Sequence, residues 1–95
     1  MSKQLLIHAF PAPIPIAEAE GVAKGAKALS NVDAYWVSAW IQLDDKGNAA
    51  KIICEWDAKD VESVNKVVEQ IHKQMPDFPC DGPYPMMKVD GESYR

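Results

Sequence analysis

AYWVSAWIQLDD (Ala34–Asp45) and NAAKIICEWDA (Asn48–Ala58), separated only by Lys46-Gly47, decide the fold. Both segments are rich in β-branched and aromatic residues, as strands are. Gly47 accepts the positive φ that a two-residue hairpin turn demands. A turn pairing Asp45 with Asn48 sets the register and both faces at once. One face then carries Val37, Ala39 and Ile41 opposite Trp56, Cys54 and Ile52, an apolar surface suited to helices. The other carries Trp36, Ser38, Trp40 and Gln42 opposite Asp57, Glu55, Ile53 and Lys51.

Upstream, QLLIHAF (Gln4–Phe10) reads as a short strand stopped by Pro11, Pro13 and Pro15. Pro15 suits the first turn of a helix, where a missing N–H costs nothing. Ile16, Ala19, Val22, Ala23, Ala26 and Leu29 recur from there at helical spacing, and Ser30, Asn31 and Asp33 end the run. Downstream, Asp60 is a candidate N-cap for a second helix with the stripe Val61, Val64, Val68, Ile71 and Met75. Glu62 with Lys66 and Glu69 with Lys73 stand at i,i+4 in the favourable order, forming an ordinary solvated face. MPDFPCDGP (Met75–Pro83) is a loop, and YPMMKVDGESYR (Tyr84–Arg95) a final strand and tail. The order is βαββαβ. Two right-handed crossovers interrupted by a hairpin define a ferredoxin-like α+β sandwich, a four-stranded antiparallel sheet with both helices on one face. Residues 1–95 make one such domain.

The face left bare is where function is expected. By alternation the first strand gives Leu6, His8 and Phe10 to it, joining Trp36, Ser38, Trp40 and Glu55. In this topology the first and third strands are neighbours, which brings His8 toward Glu55. So much aromatic surface marks an interface or a pocket. A homodimer with its two sheets face to face, enclosing a lumen, is the expected arrangement. A chain of 95 residues buries only about 60–65% of its unfolded surface, so a second copy also supplements a thin core.

Composition excludes several classes. Hydrophobic residues at 47% and charged residues at 25% describe a folded chain rather than a disordered one. Ten basic against fourteen acidic side chains give a net charge of −4 with no basic run, against nucleic acid as partner. No apolar stretch reaches the roughly 18 residues of a membrane span, and no signal-like opening is present, so a cytoplasmic location is expected. The two cysteines, Cys54 and Cys80, lack C-x-x-C spacing and read as reduced thiols. Phosphate-loop, zinc-protease, nucleophile-elbow, dinucleotide and EF-hand motifs are all missing.

WVSAW (Trp36–Trp40), KIICEWDAKDVESV (Lys51–Val64) and KVDGESYR (Lys88–Arg95) resemble a family of small bacterial and archaeal nickel-responsive or nickel-binding ferredoxin-like proteins, mostly uncharacterised. That family reads W-V-H-S-Y on the second strand and K-x-x-C-x-Y-E/D-A-x-x-x-E-x-I after it. Lys51, Cys54, Trp56, Asp57, Ala58, Glu62 and Val64 fit the second pattern, and LLIHAFP and Pro79-Cys80-Asp81 agree. The resemblance implies a dimeric α/β barrel, a superfamily that also holds cofactor-free monooxygenases, lactone isomerases and haem enzymes, so fold alone does not settle activity. It also implies a divalent transition metal such as nickel, with His8 and Glu55 as the available ligands. The family's strand-two His aligns with Ser38, and hydroxyl suits nickel less well than imidazole or thiolate.

Two functional expectations follow, beside a purely structural dimer packed by its tryptophans. One is a homodimeric binding protein whose lumen holds a metal ion or small ligand, with Phe10, Trp36, Ser38, Trp40 and Tyr84 lining it. The other is a cofactor-independent isomerase or monooxygenase acting on a small cyclic substrate. There His8 is the base, Glu55 its orienting partner with a carboxyl raised by an apolar lumen, and Ser38 or Tyr84 steadies an oxyanion. Each residue also has a plainer role: hydrogen-bonded imidazole, structural ion pair, aromatic interface packing. Cys54 is expected as a small buried hydrophobe, Cys80 as an inert loop thiol and His72 at the C-terminal end of its helix. Gly21 and Gly25, one turn apart, are expected to permit close helix–sheet contact.

Overall fold

The computed structural model describes residues 1–94. The elements run β1 (Ser2–Ile14), α1 (Ile16–Ala28), β2 (Ala34–Leu43), β3 (Ala49–Ala58), α2 (Val61–Gln74) and β4 (Asp81–Met86), followed by a short 3-10 turn at Gly91–Tyr94. The sheet order is β2-β3-β1-β4, antiparallel throughout, with both helices on one side. This is the ferredoxin-like α+β sandwich. Among the described residues no helix is long and apolar enough to cross a membrane.

The hairpin loop holds three residues, not two. Gly47 N–H donates to Asp44 O, Asp44 N–H donates to Asn48 O, and Asp44 Oδ1 accepts from Lys46 and Asn48 N–H. Gly47 sits at φ +80, the left-handed residue such a loop requires. One extra residue on β3, Ala50, compensates for the longer loop and restores the expected pairing from Gln42↔Lys51 to Ser38↔Glu55. A second irregularity then breaks it. Val37 bulges out, so Trp36 falls opposite Trp56 and Tyr35 opposite Asp57. A bulge turns every side chain beyond it to the other face. Trp36 therefore packs, half-buried, against the helix-side core.

β1 is longer than its apolar run. Its pairing with β3 reaches Ala9↔Lys51 and resumes at Ile14↔Ala49, with Phe10–Pro13 looped out of the ladder between them. Leu6 stands opposite helix-facing Cys54, so Gln4, Leu6 and His8 point to the helices and Leu5 and Ile7 to the bare face. This is the opposite phase to the expected one.

The core is Leu6, Ile52, Cys54, Trp56 and the small residues Ala34, Ala49 and Ala58 of the sheet, covered by Ala19 and Ala26 of α1 and Val64, Val67 and Ile71 of α2. In the α2 stripe Val67 is buried, whereas Val61 and Met75, at the helix ends, are exposed. Asp60 caps α2 as expected, accepting from Ser63 N–H at 2.8 Å. Pro15 precedes α1 as its N-cap rather than lying within its first turn.

Candidate functional site

The two sides of the sheet carry different chemistry. On the bare side Lys3 Nζ lies 2.5 Å from Glu55 Oε2 and 2.6 Å from Asp57 Oδ1, and Ser38 Oγ donates to Glu55 Oε1 at 3.4 Å. The Lys3 ammonium holds the Glu55 carboxyl below its ordinary value, and Asp57 with Glu55 raises the lysine in return. Glu55 is thus an ionised partner of Lys3, not a carboxyl raised by an apolar lumen. Trp40, 73% exposed, stands beside Leu5, Ile53 and Met86 around a shallow depression of about 260 Å³. The Tyr84 hydroxyl donates to Asp81, which pushes its pKa up.

His8 is on the other side. It is 2% exposed, and its Nδ1 lies 2.7 Å from Pro79 O. A carbonyl oxygen only accepts, so Nδ1 carries the proton and Nε2 keeps the lone pair in the neutral ring. Burial drives the imidazole pKa below 6.5, and the Pro79 bond only partly opposes this. Phe78 packs on the ring at 5.0 Å between centroids, with Phe10 behind it at 6.0 Å. The Cys80 sulfur is 3.7 Å from Nδ1, but burial pushes its pKa to about 11, so it is a thiol at neutral pH and not a nucleophile. Cys54 is fully buried, and desolvation raises its pKa.

The expected single chamber therefore does not form within one protomer. Ser38, Trp40 and Glu55 share the bare face, with Tyr84 opposite Leu5 at its edge, while His8, Phe10 and Trp36 belong to the helix side. His8 and Glu55 cannot ligate one ion from opposite sides of a sheet. Among the described residues no three His, Cys, Asp or Glu side chains converge. Nickel does not fit this pair, and Glu55 cannot orient His8; Pro79 O does so instead.

A cavity of about 520 Å³ lies between α1 and α2, floored by His8 and Trp56. Val22, Ala26 and Leu29 of α1, Ile71 of α2, and Met75 and Phe78 beyond it supply apolar walls. Gly21 and Gly25 line it too, and a Cβ built on either meets nothing within 4 Å. They leave space rather than permit close packing. Replacing both by alanine should raise stability, by about 0.5–1 kcal/mol per site, because helix entropy improves and nothing clashes. Urea denaturation checks this, and a loss of stability would indicate close contact after all.

Among the described residues, three buried polar atoms have no partner of hydrogen-bond geometry: Gln4 Oε1, Trp36 Nε1 and Trp56 Nε1. Trp36, Trp56 and Gln4 stand side by side across β2, β3 and β1. Such groups are few in native folds, and a cluster of them calls for a physical reason. Sequence patterning gave no sign of them, because an indole counts as apolar in any periodicity. Comparison with protein-family models, curated proteins and solved structures returned no match.

Proposed function

We propose that the protein is a small homodimeric ligand-binding module that holds its ligand between the helices and the sheet. The cavity carries this reading: its volume falls within the range of about 300–1,000 Å³ typical of small-molecule sites, its walls are apolar and its polar groups few. Dimerisation through the bare face is supported by the exposed Trp40, with Tyr84 and Met86 also exposed beside half-buried Leu5, Ile7 and Ile53. Titration with N-phenyl-1-naphthylamine, an uncharged fluorophore that brightens in apolar surroundings, tests the cavity. Emission should rise with the native chain and weaken at least about tenfold in apparent affinity when Gly21→Leu and Gly25→Leu fill the space. Equal titrations would locate binding elsewhere.

A second reading, cofactor-independent isomerisation or oxygenation of a small cyclic substrate, is favoured by one observation. His8 is a buried neutral imidazole whose proton is held at Nδ1, which leaves Nε2 as a base in an apolar cavity. Both readings use the same cavity.

A further inference from the structure

We infer that the cavity selects an uncharged, largely apolar compound bearing a hydroxyl, which donates to His8 Nε2. This rests on the proposed reading of the cavity as the binding site and adds the chemistry of its occupant. Pro79 O engages Nδ1, and among the described residues no group engages Nε2. His8 therefore offers the cavity an acceptor and no charge.

Trp56, 1% exposed, adds apolar surface to the floor, and its Nε1 is buried out of reach of an occupant. An occupant that donates a hydrogen bond to His8 Nε2 is favoured over a pure hydrocarbon, which leaves that acceptor unmet. Among the described residues no cation lines the space, and the one charged residue there is Glu18, an exposed carboxylate of α1. A carboxylate or phosphate ligand would lose its water without gaining a counter-charge. A hydrocarbon would fill the volume but leave His8 Nε2 unmet. A neutral hydroxylated compound matches the apolar walls and the His8 acceptor together.

Three probes of nearly equal size separate these cases: naphthalene, 1-naphthol and 1-naphthoate. Binding is followed by the shifts of the three indole N–H signals, assigned by Trp→Phe variants. 1-Naphthol should bind roughly three- to tenfold more tightly than naphthalene and move the Trp56 signal most, with 1-naphthoate weakest at neutral pH. His8→Asn keeps an N–H for Pro79 O and has nothing at the place of Nε2, so it should erase the preference of 1-naphthol over naphthalene. Equal binding of naphthalene and 1-naphthol to the native chain, or tightest binding of 1-naphthoate, overturns the ligand class while leaving the cavity in use. So does a preference that survives His8→Asn. Failure of all three probes, or shifts at Trp40 alone, overturns the cavity reading with it.

Discussion

Trp56→Ala should cost about 3–5 kcal/mol, the largest loss from any single truncation of the core. Trp56 is the largest fully buried side chain, at 1% exposure, and it spans the sheet beneath both helices. Small domains hold only about 5–15 kcal/mol in total, so this one change removes a large share. Trp56→Phe should be far gentler. It keeps an aromatic ring in place and deletes the unpartnered Nε1 donor, whose desolvation costs about 1–3 kcal/mol. The gain from removing that donor offsets much of the area lost. Denaturant midpoints for the two variants check the ordering. A Trp56→Phe variant as damaged as Trp56→Ala would mean that the indole N–H is satisfied in the folded protein.

Trp40→Glu should abolish the proposed dimer, with sedimentation giving 10.5 kDa in place of twice that mass. Trp40 is 73% exposed at the centre of β2's bare side, opposite Ile53, so the folded protomer tolerates the change. A central tryptophan is the usual kind of interface hot spot, and a carboxylate in its place would lose the aromatic contact and have to give up its water on association. Weakening by about 100-fold or more in Kd follows from such losses. Thermal unfolding of the variant should still be cooperative, which separates lost association from lost folding. A native chain that already sediments as one protomer would remove the interface.

The βαββαβ order was legible because every element carries its own signal: the hairpin glycine, the Asp60 cap, the prolines around α1. The central register was legible too, from Ser38↔Glu55 to Gln42↔Lys51, although the true loop is one residue longer and Ala50 makes up the difference. The site was less so, for two physical reasons. β1 is apolar at both phases, Leu5 and Ile7 against Leu6 and Phe10, so hydrophobicity cannot decide which side His8 takes. Only pairing with β3 decides it, through Leu6↔Cys54. The Val37 bulge likewise has no local signature in WVSAW, yet it carries Trp36 from one side to the other. With both shifts the imidazole leaves Glu55, and His8 and Trp36 turn toward the helices. At Gly21 and Gly25 the sequence shows only a missing side chain, which looks alike whether it admits a neighbour or a guest, and the structure puts open space beside both.

The excursion at Phe10–Pro13 bears on how the chain behaves when crowded. A central strand that leaves its ladder would ordinarily offer free donors on which a foreign strand could grow into a fibril. Pro11 and Pro13 have no N–H to lend, and both are exposed. The protruding ribbon is therefore a poor template for amyloid-like growth, a protection that alanine at both positions would forfeit.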